Sequence, residues 1–177
     1  MKIALVFPGQ GSQAVGMAKD FFENFKESKL VFEEASDAIK VDMKKLCFDG
    51  PLEELTLTQN LQPALFTAEV AMFRAFQVHA NLDVACVAGH SLGEYSALAA
   101  TGSLSVTDGA KLTRTRGEAM QKAVPVGTGS MAAILGMSAE QVTEICVAAQ
   151  KVTDSVAEPA NFNANGQVVI SGSVKGV

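Results

Sequence analysis

The most constraining feature of the sequence is an apolar run that leads directly into a glycine-bracketed serine. Residues 84–88 are apolar at every position, which is typical of a strand covered on both faces in a parallel sheet. The pattern Gly89-x-Ser91-x-Gly93 follows, and a helix is predicted from there through Ala100. The two glycines permit a sharp turn that lifts the Ser91 hydroxyl clear of the sheet. The chain is therefore predicted to have an α/β fold built on a parallel sheet.

The same turn predicts a reactive serine. The backbone amide of Leu92 points toward the space in which an oxyanion would form if Ser91 attacked a carbonyl group. The glycine-rich loop around Gln10 follows a predicted strand at residues 2–7, and it can supply a second amide if the two strands are neighbours. Two plainer interpretations stay open at this point. Ser91 could merely cap a helix, and the Gln10 loop could be an ordinary turn at a strand end.

The rest of the first 126 residues is mainly helical in pattern. A mixed run at 16–50 has helix-like spacing, and a later long helix carries an apolar stripe, with Pro63 suited to its first turn. A further helix is predicted at 105–123. We therefore assign residues 1–126 to the N-terminal part of an α/β core.

The pattern changes after residue 126. The predicted order is strand, helix, strand, strand, at 130–135, 138–150, 156–162 and 168–171. Ser138 and Gln141 occupy capping-box positions at the start of the helix, and Asn165-Gly166 is a typical hairpin turn between the last two strands. This order predicts that residues 127–177 form the first part of a ferredoxin-like unit.

Composition and charge exclude several classes of protein. Hydrophobic residues make up 48% of the chain, enough for a sizeable core, and no apolar stretch approaches the ~18 residues of a membrane span. A net charge of −5 argues against a general nucleic-acid binder. Cys47, Cys86 and Cys146 lack disulfide or metal-site spacing, so reduced, mostly buried thiols are expected. The N-terminal apolar run is too short for a signal peptide, and a cytoplasmic location is expected.

Five ordered motifs resemble one enzyme family. They are FPGQGSQ at 7–13, QPAL at 62–65, GHSLGEY at 89–95, Arg116-Gly117 and NFN at 161–163. Together they are similar to the signatures of malonyl-CoA:acyl carrier protein transacylases of fatty acid biosynthesis, which are related to acyltransferase domains of polyketide synthases. The resemblance implies a parallel-sheet, α/β-hydrolase-like acyltransferase core with an inserted ferredoxin-like subdomain, both incomplete in this chain.

The resemblance also implies a role for each site residue. Ser91 would take the malonyl group from coenzyme A as an ester and pass it to the thiol of acyl carrier protein. The backbone amides of Gln10 and Leu92 would hold the oxyanion, and the planar guanidinium of Arg116 would bind the free malonyl carboxylate. Gln62 would lie near the acyl pocket. The expected partners are malonyl-CoA and acyl carrier protein, without nucleic acid or membrane, and without a metal or a cofactor beyond the coenzyme A substrate.

A base that could activate Ser91 is not evident in the sequence. In the family this base is a histidine downstream of the ferredoxin-like insert, whereas the present chain has only His79 and His90. His90 adjoins Ser91 but points in a different direction, and His79 continues the apolar stripe of the long helix. We therefore expect a chain truncated at its C-terminus, almost inactive alone and prone to self-association through an incomplete sheet.

Two other functions are compatible with parts of the sequence. Asp108 and the two residues after it superficially fit the aspartate motif of patatin-like serine hydrolases, although a position in the first turn of a helix also accounts for Asp108. A non-catalytic module that binds coenzyme A or the carrier protein is compatible with the missing base. Basic residues that could meet an acidic carrier protein are Lys44, Lys45, Lys111 and Arg114. Arg114 is otherwise expected to be an ordinary surface residue.

Overall fold

The computed structural model describes residues 2–81, 83–125 and 127–177, in two compact units, Met1–Gln121 and Lys122–Val177. The elements up to the division are β1 (Lys2–Phe7), α1 (Lys19–Asn24), α2 (Lys26–Ile39), α3 (Met43–Asp49), α4 (Leu52–Thr56), α5 (Thr58–His79), β2 (Asp83–Gly89), α6 (Gly93–Ala100) and α7 (Val106–Ala123). The later elements are β3 (Gly129–Leu135), α8 (Ala139–Thr153), β4 (Ala157–Ala164) and β5 (Gln167–Ser173). The domain boundary expected after Val126 falls on a residue outside the described ones.

The parallel pairing of β1 with β2 brings the two glycine-rich loops together. Phe7 pairs with Gly89 at the carboxyl ends, so both strands finish at the same edge of the sheet. The His90 N–H donates to the Phe7 carbonyl oxygen at 3.0 Å and extends the pairing into the turn. The loop around Gln10 and the turn at Ser91 are therefore neighbours, as the two sequence patterns require.

The surface of β2 is more open than its sequence predicts. Its apolar run indicates a strand covered on both faces, yet Val84 is 39% exposed and Cys86 is exposed. β1 is open as well, with Val6 73% exposed. Within the described ranges the sheet has two strands, and α6 packs against both of them. The prediction of two covered faces is therefore wrong here, and so is that of a buried Cys86, whereas Cys47 and Cys146 are buried.

The core of the first unit lies among its helices. α5 is buried along most of its length and packs against α2 and α6. The rings of Phe22, Phe32 and Phe48 meet with centroids 5.1 to 5.5 Å apart. The Phe66 ring of α5 leaves no room for a Cβ at Gly109, so α7 lies directly on α5. In the described part of the chain, no helix combines the length and apolar character needed to cross a membrane.

The start of α5 differs from the prediction. The helix begins at Thr58, so Pro63 lies beyond its first turn. Proline lacks the N–H that would bond the carbonyl of Gln59, four residues earlier in the helix. The helix nevertheless continues through this point, and Arg114 of α7 donates to the Gln59 carbonyl from outside the helix.

The second unit has the order of elements that its sequence predicts. β3, β5 and β4 form an antiparallel sheet in that spatial order, and α8 connects β3 to β4. Ser138 and Gln141 form the predicted capping box, and Asn165-Gly166 lies between β4 and β5. α8 packs its buried side on the sheet. This is the arrangement of the first four elements of a ferredoxin-like unit.

Candidate active site

Ser91 occupies a strained turn between β2 and α6. Its φ of 54° lies in the left-handed region that residues other than glycine seldom adopt. The surrounding backbone explains the two glycines. A Cβ at Gly89 would overlap the Gly93 carbonyl group, and a Cβ at Gly93 would overlap the Phe7 carbonyl oxygen. The turn is thus held against the end of β1, and the strained residue is the one that carries the hydroxyl, a placement common at functional sites.

Two backbone amides lie at the junction of the loops. A Cβ at Gly9 would stand 2.6 Å from the His90 carbonyl oxygen, so the loop after β1 rests on the Ser91 turn. The Leu92 side chain is fully buried, and its packing in the interior holds the turn in place. Within the described ranges, no acceptor is bonded to the N–H of Gln10 or of Leu92. Both N–H groups are therefore unpaired there, and Leu92 as a whole residue is 0% exposed.

Arg116 lies beside the serine. Its Nη2 donates to Ser91 Oγ at 2.9 Å, and its Nη1 donates to Gln62 Oε1. The guanidinium carbon is 5.8 Å from the centroid of the Tyr95 ring, close enough for a cation–π contact. Gln62 is 1% exposed, and its Nε2 donates to Gln10 Oε1 at 3.4 Å. One polar network therefore contains all the side chains that the sequence assigned to the site.

The approach of α7 to α5 makes this network possible. A Cβ at Gly117 would lie 2.6 Å from the Thr58 carbonyl oxygen and 2.7 Å from the Gln59 Cα. Because glycine has no side chain, α7 can lie on the backbone at the start of α5. Arg116 is adjacent to this contact in sequence and reaches Gln62 in the second turn of α5.

Arg114 is not the ordinary surface residue that the sequence predicts. Its side chain is 25% exposed and turns onto the start of α5. The prediction was wrong because it considered only the direction of Arg114 relative to Arg116 on one helix. Pro63 was the available signal, since a proline inside a helix leaves a carbonyl that needs an outside donor.

His79 and Asp108 have contacts that suit structural roles. His79 ends α5, where its Nε2 lies 3.3 Å from the Glu27 carboxylate and its ring centroid 5.0 Å from that of Phe25. Asp108 lies in the first turn of α7, where its N–H donates to Ser105 Oγ at 3.0 Å and its carboxylate accepts from that hydroxyl at 2.7 Å. Asp108 thus takes part in a helix cap. Among the described residues, no cluster of three His, Cys, Asp or Glu side chains could hold a metal ion.

Glu69 is a buried acid that no pattern in the sequence indicates. It lies on α5 and is 3% exposed, and burial raises the pKa of its carboxyl from an ordinary 4.5 to about 7. Ser96 of α6 partly opposes this rise. In the described structure, however, neither carboxylate oxygen nor Ser96 Oγ has a partner at hydrogen-bonding geometry. The uncharged form of Glu69 is therefore the one that the fold favours.

This burial predicts a pH-dependent stability. The folded chain holds the Glu69 proton more tightly than the unfolded chain, so the stabilisation is complete below pH 4.5 and is lost as the pH rises through about 7. The free energy of unfolding should fall by about 3 kcal/mol over this interval, relative to Glu69→Gln. Urea unfolding at about pH 5 and about pH 8 measures the difference. The exposed Glu53→Gln serves as the control, and an equal gap between wild type and Glu69→Gln at both pH values would contradict the prediction.

Known proteins are similar to this chain over nearly its whole length. A family model described as acyl transferase domain matches residues 4–177. The malonyl CoA-acyl carrier protein transacylase of Bacillus subtilis strain 168 is 48% identical over 178 aligned residues, which cover 99% of this chain and 55% of that protein.

Solved structures agree with the sequence match. The acyl-carrier-protein S-malonyltransferase of Burkholderia pseudomallei 1710b has a TM-score of 0.89 at 49% identity, covering 99% of this chain and 56% of that one. A type II PKS acyl-carrier protein in complex with its malonyl-transacylase gives 0.91 at 41% identity, with coverage of 99% and 56%. The chain spans about half the length of these relatives. Because the family model matches nearly all of its residues, the chain belongs to the acyl transferase domain family.

Proposed function

We propose that the chain carries the acyl-accepting half of a malonyl transferase of fatty acid biosynthesis, which moves malonyl groups from coenzyme A to acyl carrier protein. The observation that carries the proposal is the 2.9 Å contact between Arg116 Nη2 and Ser91 Oγ. A malonyl thioester differs from an acetyl thioester by a free carboxylate, and a guanidinium beside the nucleophile is the group that binds a carboxylate best. The relatives named as malonyl transferases support the same substrate.

The first half-reaction forms an ester on Ser91. The hydroxyl oxygen attacks the thioester carbonyl carbon, its proton passes to a base, and the carbonyl oxygen becomes an oxyanion. The amides of Gln10 and Leu92 donate to that oxyanion. The C–S bond then breaks, and coenzyme A leaves as a thiol after taking up a proton. Arg116 exchanges its contact with Ser91 for the malonyl carboxylate and remains bonded to Gln62.

The second half-reaction reverses these steps with a different thiol. The thiol of acyl carrier protein gives up its proton and its sulfur attacks the ester carbonyl carbon, so that the oxyanion forms again at the same amides. The C–O bond to Ser91 then breaks, and the Ser91 oxygen takes up a proton. The thioester already holds an activated acyl group, so the transfer requires no metal and no redox cofactor. The complex of a related transacylase with an acyl-carrier protein supports this class of partner.

The cysteines suit a reducing compartment, which supports a cytoplasmic location. All three are free thiols: Cys47 and Cys146 are buried, and Cys86 is exposed.

Covalent labelling tests the proposal. We expect incubation with malonyl-CoA to add one malonyl group to the intact chain, and peptide mapping to locate it on Ser91. Labelling is stoichiometric, so it can be observed even when turnover is slow. Absence of any adduct after prolonged incubation, with coenzyme A still bound in a binding assay, would refute the transferase and favour a non-catalytic binding module.

The Arg116→Ala substitution should remove the preference for malonyl. Two charge-assisted hydrogen bonds are lost, so the initial labelling rate with malonyl-CoA should fall by about 100-fold. The rate with acetyl-CoA, which has no second carboxylate, should change little. Arg74→Ala removes a guanidinium whose hydrogen bond, in the described part of the chain, is to Gln77 on α5, and it serves as the matched control. Equal losses with both thioesters would contradict a carboxylate-binding role for Arg116.

A further inference from the structure

Arg114 makes three contacts that the proposed reaction does not use. Its Nη1 donates to the Gln59 carbonyl oxygen at 3.1 Å and to the Asn60 side-chain oxygen at 2.8 Å. Its Nε donates to the Glu118 carboxylate at 2.6 Å, one turn further along α7. These contacts hold the guanidinium of a partly buried side chain against the start of α5.

The Gln59 carbonyl depends on this outside donor. In a regular helix it would accept from the N–H of the residue four positions later, which in α5 is Pro63. Proline has no N–H, and a carbonyl without a donor in a packed helix start is unfavourable. The planar fork of Arg114 can reach the carbonyl and the Asn60 oxygen together.

The start of α5 matters because Gln62 lies there. Gln62 immediately precedes Pro63 and is buried, with its side chain between Arg116 and Gln10. α7 therefore contacts this part of α5 at two levels. Arg114 bonds the backbone at Gln59, and Arg116 bonds the side chain three residues further on.

We propose that Arg114 is a positioning residue, which supplies the donor that Pro63 lacks and thereby holds Gln62, and through it Arg116, beside Ser91. Arg114 does not contact the reacting atoms in this arrangement. Its effect on malonyl uptake rests on the proposed function, whereas its effect on the Gln62–Arg116 contact does not. The two effects can be measured separately.

Tyr95 provides the separate measurement. It is the single tyrosine of a chain without tryptophan, and the Arg116 guanidinium lies over its ring. The near-ultraviolet circular dichroism of the tyrosine band therefore reports the placement of Arg116 without any substrate.

The experiment compares Arg114→Met with Lys122→Met, which removes a positive charge from an exposed position about two turns later on α7. Arg114→Met is expected to lower the initial rate of malonyl labelling at Ser91 about tenfold and to diminish the Tyr95 band, because the guanidinium of Arg116 is no longer held in place. Lys122→Met should leave both unchanged. Arg114→Lys retains a positively charged donor, so it should lose less of the labelling rate and less of the Tyr95 band than Arg114→Met. It therefore provides a result even if the methionine variant does not fold.

A second comparison introduces Pro63→Ala, which restores a backbone N–H for the Gln59 carbonyl. In that background Arg114→Met should change the labelling rate by less than about threefold, because the two substitutions act on the same hydrogen bond. Equal losses in both backgrounds, or an unchanged Tyr95 band in Arg114→Met, would overturn the proposal. A wild-type chain that takes up no malonyl would refute the proposed function. The Tyr95 band, with and without Pro63→Ala, would then still decide the role of Arg114.

Discussion

Replacing Ser91 with alanine should abolish malonyl labelling of the chain, with a rate loss of at least about 10⁴-fold. The Ser91 hydroxyl oxygen is the atom that forms the ester. Without it no oxyanion forms for the Gln10 and Leu92 amides to stabilise. Intact-mass measurement after incubation with malonyl-CoA gives the result directly. Ser103→Ala, which removes an exposed serine hydroxyl bonded to Thr101, is the matched control and should label as the wild type does.

An exposed thiol could exchange with malonyl-CoA and imitate the reaction. Cys86 is exposed on β2, so Ser91→Ala is best compared in a Cys86→Ser background. Neutral hydroxylamine removes a thioester much faster than an oxygen ester, which separates the two adducts. An oxygen-ester adduct that persists in Ser91→Ala would place the nucleophile elsewhere and refute the proposed mechanism.

Transfer from coenzyme A to acyl carrier protein by this 177-residue chain should be about 10⁴-fold slower than by the Bacillus subtilis relative in the same assay. A serine hydroxyl needs a base, and the group bonded to Ser91 Oγ is Arg116, which cannot take up a proton. His79 is bonded to Glu27 at the far end of α5. The ring of His90 lies against Gly9, because a Cβ added at Gly9 would stand 2.9 Å from His90 Nδ1.

Normal turnover would contradict this expectation and make His90 the first residue to test. His90→Ala keeps the backbone N–H that bonds Phe7, so the turn should survive the substitution. A turnover that collapsed in this variant would identify His90 as the base. A turnover that did not change would require a base of another residue type.

Local patterns predicted the parts of the fold that depend on neighbours in sequence. The glycines around Ser91 indicated a sharp turn, and the structure shows the positive φ and the backbone contacts that require them. Ser138 and Asn165-Gly166 likewise specified a helix start and a hairpin, because capping and turn geometry extend over only a few residues.

The features that escaped prediction depend on distant parts of the chain. Residues 84–88 are apolar enough for a buried strand, but burial also requires covering layers that a strand cannot encode in itself. Arg114 meets Gln59 across 55 positions, and Glu69 is buried by its packing between helices. Arg116 and Gln62 were assigned to the site through resemblance, and spacing alone did not indicate their contact.

The double contact of Gln62 has a consequence for substrate discrimination. One buried amide bonds Arg116, the residue proposed to bind the distal carboxylate of the acyl group, and also Gln10, whose backbone N–H is proposed to face the reacting carbonyl. With these roles, recognition of the tail and stabilisation of the transition state would be energetically linked through a single side chain. An acyl group with the wrong tail would be penalised in the chemical step as well as in affinity, so selectivity would persist even when the competing thioester saturates the enzyme.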